Sequence, residues 1–177
     1  LENEKKVLVE SVPRYFSLNE NVATSVLESF DQYVLELPIS IEVSGFLVNW
    51  RTSLEALYSV GITSNSRGQL INEKIALVNG TRQTSVGLDD LYTVDEAKQV
   101  LNNALGVFDA VTVSDGTRQY LLSLVVPNVA YDDKLTKQFR SEALSVIVPV
   151  RGLITKGTRV IAKGEVVEGE KLQVLKS

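Results

Sequence analysis

Apolar residues recur every three or four positions between Ser17 and Pro38, and this spacing predicts an amphipathic helix. The apolar stripe consists of Val22, Ala23, Val26, Leu27, Phe30, Tyr33, Val34 and Leu37. Ser17 and Glu20 form a capping box at its start. Pro38 ends the pattern, because proline lacks the N–H that a continuing helix needs. The pattern therefore predicts a helix with one buried face.

The same periodicity predicts a second helix, with Gly61 in the position of a C-terminal cap. Its apolar positions are Phe46, Leu47, Trp50, Leu54, Leu57 and Tyr58. Trp50 is the only tryptophan, and because it is in phase with the stripe we expect it in the core. Residues 39–45 alternate apolar and polar side chains, which is compatible with a short strand or an extended linker. We expect the two helices to pack together.

A β-hairpin is predicted at Asn79-Gly80, because both residues tolerate positive φ in a tight turn. Residues 74–78 and 81–86 flank this turn and supply the two strands.

Thr93 and Glu96 form another capping box, and apolar positions continue from it to Gly106. They are Ala97, Val100, Leu101, Ala104 and Leu105. Residues 107–113 are compatible with a strand, and a turn at Asp115-Gly116 leads into a short helix over residues 119–126.

The last third of the chain combines a helix, a strand and a hairpin. Asp132 and Asp133 favour the positive end of a helix, and Leu135, Phe139 and Ala143 give it an apolar stripe. The apolar run from Val146 to Val150 predicts a strand. Glycine turns at Lys156-Gly157 and Lys163-Gly164 then separate two further short strands.

Together these elements predict an α+β fold with five or six helices on a small, mostly antiparallel sheet. The sheet would be built from the hairpins near Asn79-Gly80 and Lys156-Gly157.

Three parts of the chain resemble the extracellular domain of bacterial seven-transmembrane receptors that carry a cytoplasmic HD-type phosphohydrolase. The first is residues 127–176, with V-P-V-x-G-x-I-x-K-G followed by V-I-A-K-G-E-V-V. The second is a middle block in the same order, L-Y-S-V-G-I, K-I-A-L-V-N-G and D-L-Y-T-V-D-E-A. The third, weaker likeness covers residues 11–16. None of these strings is a catalytic signature.

The resemblance implies that residues 1–177 form a single extracytoplasmic domain, a fragment of a larger membrane protein. Its termini would lie close together, between one membrane helix before Leu1 and seven after Ser177. The domain would face outward from the cytoplasmic membrane. In family members a cytoplasmic HD domain holds metals through His and Asp ligands and hydrolyses a cyclic dinucleotide, which implies cyclic di-AMP as the substrate.

Composition excludes several kinds of chemistry in this fragment. The chain has no histidine and no cysteine, so it contains neither a histidine-based catalytic triad nor a thiolate zinc site. The net charge of −4 argues against a nucleic-acid partner. No run approaches the roughly 20 apolar residues that span a bilayer. The sequence also contains no methionine, which is expected of a fragment.

The acidic pairs Asp89-Asp90, Asp95-Glu96 and Asp132-Asp133 precede or open predicted helices, and capping explains that position without any metal. We therefore expect no catalytic residue, no metal and no cofactor. A metal-dependent hydrolase that uses Asp and Glu alone is the weakest of three hypotheses. The main hypothesis is a sensory domain that binds an unknown small molecule or cell-envelope ligand.

An assembly or homodimerisation module without a small-molecule ligand is the alternative. As candidate ligand contacts the sequence offers Arg82, Asn128 and Arg151, which are polar residues at predicted strand or helix junctions.

Overall fold

A computed structural model describes residues 2–38, 41–106 and 113–147. These residues form six α-helices and six strands, in the order α1 (Glu2–Ser11), β1 (Tyr15–Leu18), α2 (Glu20–Glu36), α3 (Ile41–Val60), β2 (Ile62–Thr63), β3 (Lys74–Asn79), β4 (Arg82–Gly87), β5 (Tyr92–Thr93), α4 (Val94–Gly106), α5 (Asp115–Ser123), β6 (Val129–Tyr131) and α6 (Asp133–Ile147). Two single 3₁₀ turns lie at Arg67–Gln69 and Leu88–Asp90.

The α+β class is confirmed, but the sheet is mixed rather than mostly antiparallel. Its strand order is β4-β3-β1-β6-β2-β5. The pairs β1–β3, β2–β5 and β2–β6 are parallel, whereas β1–β6 and β3–β4 are antiparallel. Helices connect several of the strands, and a helical crossover can return the chain in the direction that parallel pairing needs. Hairpin turns in the sequence predict antiparallel neighbours only, so they do not predict these parallel pairs.

Helix α2 begins at Glu20, and its cap is Asn19, whose side chain accepts a hydrogen bond from Asn21 N–H at 3.0 Å. The capping box predicted at Ser17 is wrong, because Ser17 belongs to strand β1. The C-terminal end agrees with the prediction, since the helix stops at Glu36 just before Leu37 and Pro38.

Helix α3 already begins at Ile41, so the short strand or extended linker predicted over residues 39–45 is wrong for residues 41–45. Residues 39 and 40 lie outside the described part of the chain. The predicted cap at Gly61 is confirmed: its φ is +115°, and its N–H bonds the Leu57 carbonyl at 3.0 Å. A Cβ at this position would lie 2.7 Å from Cγ2 of Val129, so glycine is required for space as well as for φ.

Two apolar clusters hold the layers together. The larger lies among α2, α3, α4 and α5, where Trp50 is 1% exposed and stacks on Phe30 with ring centroids 5.3 Å apart. The smaller covers one face of the sheet and contains Phe16, Leu70, Ile75, Leu77, Leu88, Leu91 and Val129. The expected core position of Trp50 and the packing of α2 on α3 are both found.

The hairpin predicted near Asn79-Gly80 is confirmed as β3 and β4, with its turn one residue further along the chain. Asn79 pairs with Arg82, so the two turn residues are Gly80 and Thr81. Gly80 has φ +58°, and no described residue other than glycine has positive φ. Glycine at the first turn position followed by a residue of negative φ is typical of a type II′ hairpin.

The observed ends of α4, α5 and α6 differ in how well they agree with the prediction. The capping box of Thr93 and Glu96 is confirmed, with reciprocal hydrogen bonds of 3.1 Å each. Helix α5 starts at Asp115 instead of residue 119, because the Ser114 side chain accepts a hydrogen bond from Thr117 N–H. Helix α6 continues to Ile147, so the predicted strand is wrong at Val146, which is 84% exposed on that helix.

The remaining expectations fall on residues 107–112 and 148–177. The strand predicted over residues 107–113 lies outside the described residues except for Val113, which belongs to no strand. The hairpin near Lys156-Gly157 lies outside them entirely.

Candidate functional site

Polar side chains gather at the end of the sheet where the parallel strands β1 and β3 both finish and α2 begins. We call this region the polar sheet end and define it by Asn19, Glu20, Asn79, Arg82 and Asn128. Asn19 and Glu20 follow β1 directly, and Asn79 is the last residue of β3. The Asn79 side-chain amide donates a hydrogen bond to the Glu20 carboxylate, which joins the hairpin to the start of α2.

Asn128 lies on the β6 side of this region and is only 4% exposed. Its side-chain oxygen accepts a hydrogen bond from Ile62 N–H at 2.8 Å, and its side-chain nitrogen donates to the Tyr58 carbonyl at 3.0 Å. Its carbonyl accepts from Asn19 N–H at 2.8 Å. Asn128 thus ties the end of α3, strand β2 and the start of α2 together.

Arg82 is exposed at the start of β4. Strands β3 and β1 separate β4 from β6, which follows Asn128. Three strand spacings correspond to about 14 Å, so the two candidate residues occupy the same end of the sheet without adjoining. Arg151 lies outside the described residues. The assignment of these three residues to ligand contact stays a prediction.

A second set of contacts fixes helix α6 to the central strand β1, and we call it the β1–α6 junction, made of Tyr15, Ser17, Asp132 and Thr136. The Asp132 carboxylate accepts hydrogen bonds from Ser17 Oγ at 2.8 Å and from Leu135 N–H at 2.9 Å. The main-chain bond to Leu135, followed by the bond from Ser17, lowers the pKa of Asp132. The carboxylate therefore caps α6 and binds the strand at once.

Thr136 completes the β1–α6 junction from within, at 0% exposure. Its hydroxyl oxygen accepts a hydrogen bond from Tyr15 N–H at 2.9 Å and donates to the Asp132 carbonyl at 2.8 Å. Asp132 N–H in turn donates to the Tyr15 carbonyl at 2.8 Å. These hydrogen bonds connect the main chain of β1 to the first turn of α6 in a buried position. They therefore fix the helix firmly to the strand.

Helix α1 packs on α6. The chain needs only four residues to pass from Ser11, the end of α1, to Tyr15, which contacts the first two turns of α6. Four residues span at most about 14 Å, so the end of α1 lies beside the beginning of α6. The start of α1 is consequently near the end of α6.

An ion pair that the sequence did not predict joins the loop between β2 and β3 to helix α4. Arg67 Nε bonds Glu96 Oε1 at 2.6 Å, and its other nitrogens reach the carbonyls of Asp89 and Leu91 at 2.9 and 3.1 Å. Arg67 lowers the pKa of Glu96 to about 2, and hydrogen bonds from Thr93 add to this effect. No local pattern marks the pair, because 29 residues separate the partners.

The acidic pairs have the capping positions expected of them. Asp90 accepts a hydrogen bond from Gly87 N–H at 3.0 Å, Glu96 bonds Thr93, and Asp132 caps α6. Within residues 2–38, 41–106 and 113–147, no three side chains of His, Cys, Asp or Glu are grouped as a metal site would require.

Open grooves run along two helices of the described surface. One of about 320 Å³ follows α1 and is lined by Asn3, Glu4, Val7, Leu8 and Ser11. The other, of about 550 Å³, follows α2 and is lined by Ser25, Glu28, Ser29, Asp31, Gln32 and Leu35. Neither includes Arg82 or Asn128. Among the described helices, none has the length and apolar content needed to cross a bilayer.

Comparison with protein families gives one match that covers the whole chain. The family described as "7TM-HD extracellular" matches residues 1–177. No curated protein and no solved structure matches the chain.

Proposed function

Since the chain belongs to the family of 7TM-HD extracellular domains, and so lies outside the cytoplasm, we propose that it is the sensory domain of a membrane-bound HD-type phosphohydrolase. In this proposal the domain binds a small molecule or an envelope component and carries out no chemistry of its own. The parent protein hydrolyses a cyclic dinucleotide, cyclic di-AMP, in the cytoplasm.

The observation that carries the proposal is the β1–α6 junction. Thr136 and Asp132 fix α6 to the central strand through buried hydrogen bonds, and α1 packs antiparallel on α6. A ligand that favours one position of the sheet therefore also favours one position of this helix pair. Such a ligand acts only through its different affinities for two arrangements of the domain.

Ligand contact is assigned to the polar sheet end, with Arg82 and Asn128 as the proposed residues. Arg151, which lies outside the described residues, stays a proposed contact from the sequence alone. The Arg82 side chain is exposed and suits an anionic group on a ligand. Asn128 is buried, and its side-chain amide already bonds Ile62 N–H and the Tyr58 carbonyl, so it would respond to a ligand by a change in these contacts. A ligand that shifts Asn128 would thus shift the start of α2.

The test compares cyclic di-AMP hydrolysis by the full-length parent with that of a Thr136→Val variant and of a protein lacking residues 1–177. We expect the deletion to abolish the response to the ligand found by a thermal-shift screen of envelope metabolites on the 177-residue chain. Thr136→Val should weaken that response while the ligand still binds. Unchanged hydrolysis and unchanged response in the deletion protein would overturn the proposal.

Thr93→Val is the matched control for stability, because it makes the same substitution at another buried threonine, removes the hydrogen bond from Glu96 N–H, and leaves the β1–α6 junction and the proposed contact residues intact. If both variants weaken the response equally at equal ligand occupancy, loss of stability and not the junction is responsible.

An assembly or homodimerisation module is the second candidate function. The observation that favours it is the position of β4, which among the described strands pairs only with β3.

A further inference from the structure

The turn between β3 and β4 places an asparagine directly before a glycine. Asn79 is the last residue of β3 and is partly exposed, and the loop residues Gly80 and Thr81 are exposed. Asparagine is among the chemically labile residues, and a following glycine has no Cβ to hinder its main-chain nitrogen. Asn79-Gly80 is the only Asn-Gly step in the sequence. The turn therefore contains the step of the chain that is most prone to deamidation.

Gly80 is unhindered in the folded chain. Its φ is +58°, and a Cβ at this position would meet no atom within 4 Å. Asn79 pairs with Arg82 across the loop, so the main-chain hydrogen bonds of the turn belong to that pair. Gly80 N–H has no main-chain acceptor among the described residues. Its nitrogen is therefore available for reaction with the side chain of Asn79.

The side-chain amide of Asn79 is held by Glu20, the first residue of α2. The amide nitrogen donates a hydrogen bond to the Glu20 carboxylate. Attack by Gly80 requires the Asn79 side chain to turn away from this partner and towards the main-chain nitrogen that follows it. The bond to Glu20 thus slows the reaction. It is also the contact that the reaction removes.

We propose that Asn79 is a site of spontaneous deamidation and that the product carboxylate separates the β3–β4 hairpin from the start of α2. The deprotonated Gly80 nitrogen attacks Asn79 Cγ. A bond forms between these two atoms, the Cγ–Nδ2 bond breaks, and the nitrogen leaves as ammonia with the proton that Gly80 has lost. Water then opens the cyclic imide at either carbonyl, which gives aspartate or isoaspartate at position 79.

The product changes the contact with Glu20 because an ionised carboxylate accepts hydrogen bonds but cannot donate one. Two carboxylates then face each other where an amide and a carboxylate were bonded, and like charges at this distance repel. The positive end of α2 already has Glu20 as a countercharge, so a second carboxylate gains little from it. Isoaspartate in addition lengthens the main chain next to the turn. Both products therefore weaken the connection of the hairpin to α2.

Peptide mapping of the intact chain tests the reaction. Trypsin places Asn79 in the peptide 75–82 and Asn65, which precedes a serine, in the peptide 52–67, and each peptide contains a single asparagine. After incubation of the folded chain at mildly alkaline pH, we expect mass spectrometry to show amide-to-acid conversion several times faster in 75–82 than in 52–67. A sample digested before incubation corrects for conversion during digestion.

Two variants test the roles of the neighbours in the same assay. Gly80→Ala should slow conversion of Asn79 by at least about tenfold, because the added Cβ hinders the attacking nitrogen. Glu20→Ala should accelerate it, because the Asn79 side chain loses the acceptor that holds it.

Asn79→Asp supplies the aspartate product directly. It should lower the midpoint of thermal unfolding by about 2–4 °C, the shift that the loss of one hydrogen bond produces in a chain of this size. Adding Glu20→Gln should restore most of the midpoint, because the glutamine amide can donate to the new carboxylate. Glu20→Gln alone is the matched control and should leave the midpoint unchanged, since its side-chain oxygen still accepts from Asn79.

The proposal is overturned if peptide 75–82 converts no faster than 52–67, if Gly80→Ala converts at the unmodified rate, or if Asn79→Asp unfolds at the midpoint of the unmodified chain. None of these measurements involves a ligand or the hydrolysis reaction, so their outcome is independent of the sensory proposal.

Discussion

The ring of Tyr15, the first residue of β1, stacks on the ring of Phe139 in α6, with centroids 4.4 Å apart and planes within 6° of each other. The stack lies one turn beyond the hydrogen bond from Tyr15 N–H to Thr136. Polar and apolar contacts therefore hold the same helix to the same strand. This arrangement sets the first expectation.

Phe139→Ala should lower the free energy of unfolding by about 2–4 kcal/mol, since it removes a partly buried aromatic ring together with its stacking contact to Tyr15. Val146→Ala on the same helix, where the side chain is 84% exposed, should change it by less than about 0.5 kcal/mol. Urea unfolding monitored by circular dichroism measures both. Equal effects of the two substitutions would contradict the packing of α6 through Phe139.

Asn128→Ala should cost about 1–3 kcal/mol, because Ile62 N–H loses its acceptor in a buried position. Asn49→Ala, an exposed position on α3, serves as the control and should be neutral or slightly stabilising because alanine has the higher helix propensity. Guanidinium unfolding of the two variants gives the comparison. A neutral Asn128→Ala would mean that its amide does not hold β2.

Two glycines should respond to alanine in opposite directions. Gly61→Ala should destabilise by more than about 2 kcal/mol, because φ is +115° and the new Cβ would lie 2.7 Å from Val129. Gly45→Ala should stabilise by about 0.5–1 kcal/mol, because Gly45 lies within helix α3 and its Cβ would meet no atom within 4 Å. Thermal unfolding distinguishes the two. A stable Gly61→Ala variant would rule out the close approach of α3 and β6.

Stability should fall in acid partly because of Glu96. Its pKa is about 2 in the folded chain against an ordinary value of 4.5, so the ionised form is bound more favourably in the folded state. This contribution is complete above the unfolded-state pKa and is lost as the pH falls from about 4.5 to about 2. Glu96→Gln should flatten the dependence of the urea midpoint on pH in that window.

The pH dependence that remains in Glu96→Gln includes Asp132, whose pKa is also lowered. Glu28→Gln, at an exposed position on α2, controls for the removal of one carboxylate and should keep the wild-type slope. If Glu96→Gln also keeps that slope, the ion pair with Arg67 is not responsible for the acid sensitivity.

The sequence predicted those features that depend on residues close together in the chain. The apolar stripe of α2, the cap at Gly61 and the capping box of Thr93 and Glu96 all depend on residues a few positions apart, and all are found. Ser17 and Glu20 have the spacing of a capping box too. There, pairing of Ser17 with Val78 and Ala130 and its hydrogen bond to Asp132 place it in the sheet instead.

Contacts between distant residues account for what the sequence did not predict. The parallel pairing of β1 with β3 and the bond of Arg67 to Glu96 join segments without any shared spacing that a pattern could reveal. The same holds for the candidate site. Asn128 was predicted as a ligand contact from its position at a junction, but its amide bonds to Ile62 and Tyr58 depend on the folded arrangement.

Strand β1 is among the first segments of the chain to emerge from the membrane during export, yet its neighbours in the sheet, β3 and β6, emerge much later. Phe16 pairs with Leu77 on one side and with Tyr131 on the other. Strand β1 can therefore pair on both sides only after most of the domain has been translocated, and until then both of its edges are unpaired. Pairings between segments so far apart in the sequence favour slow folding of the domain.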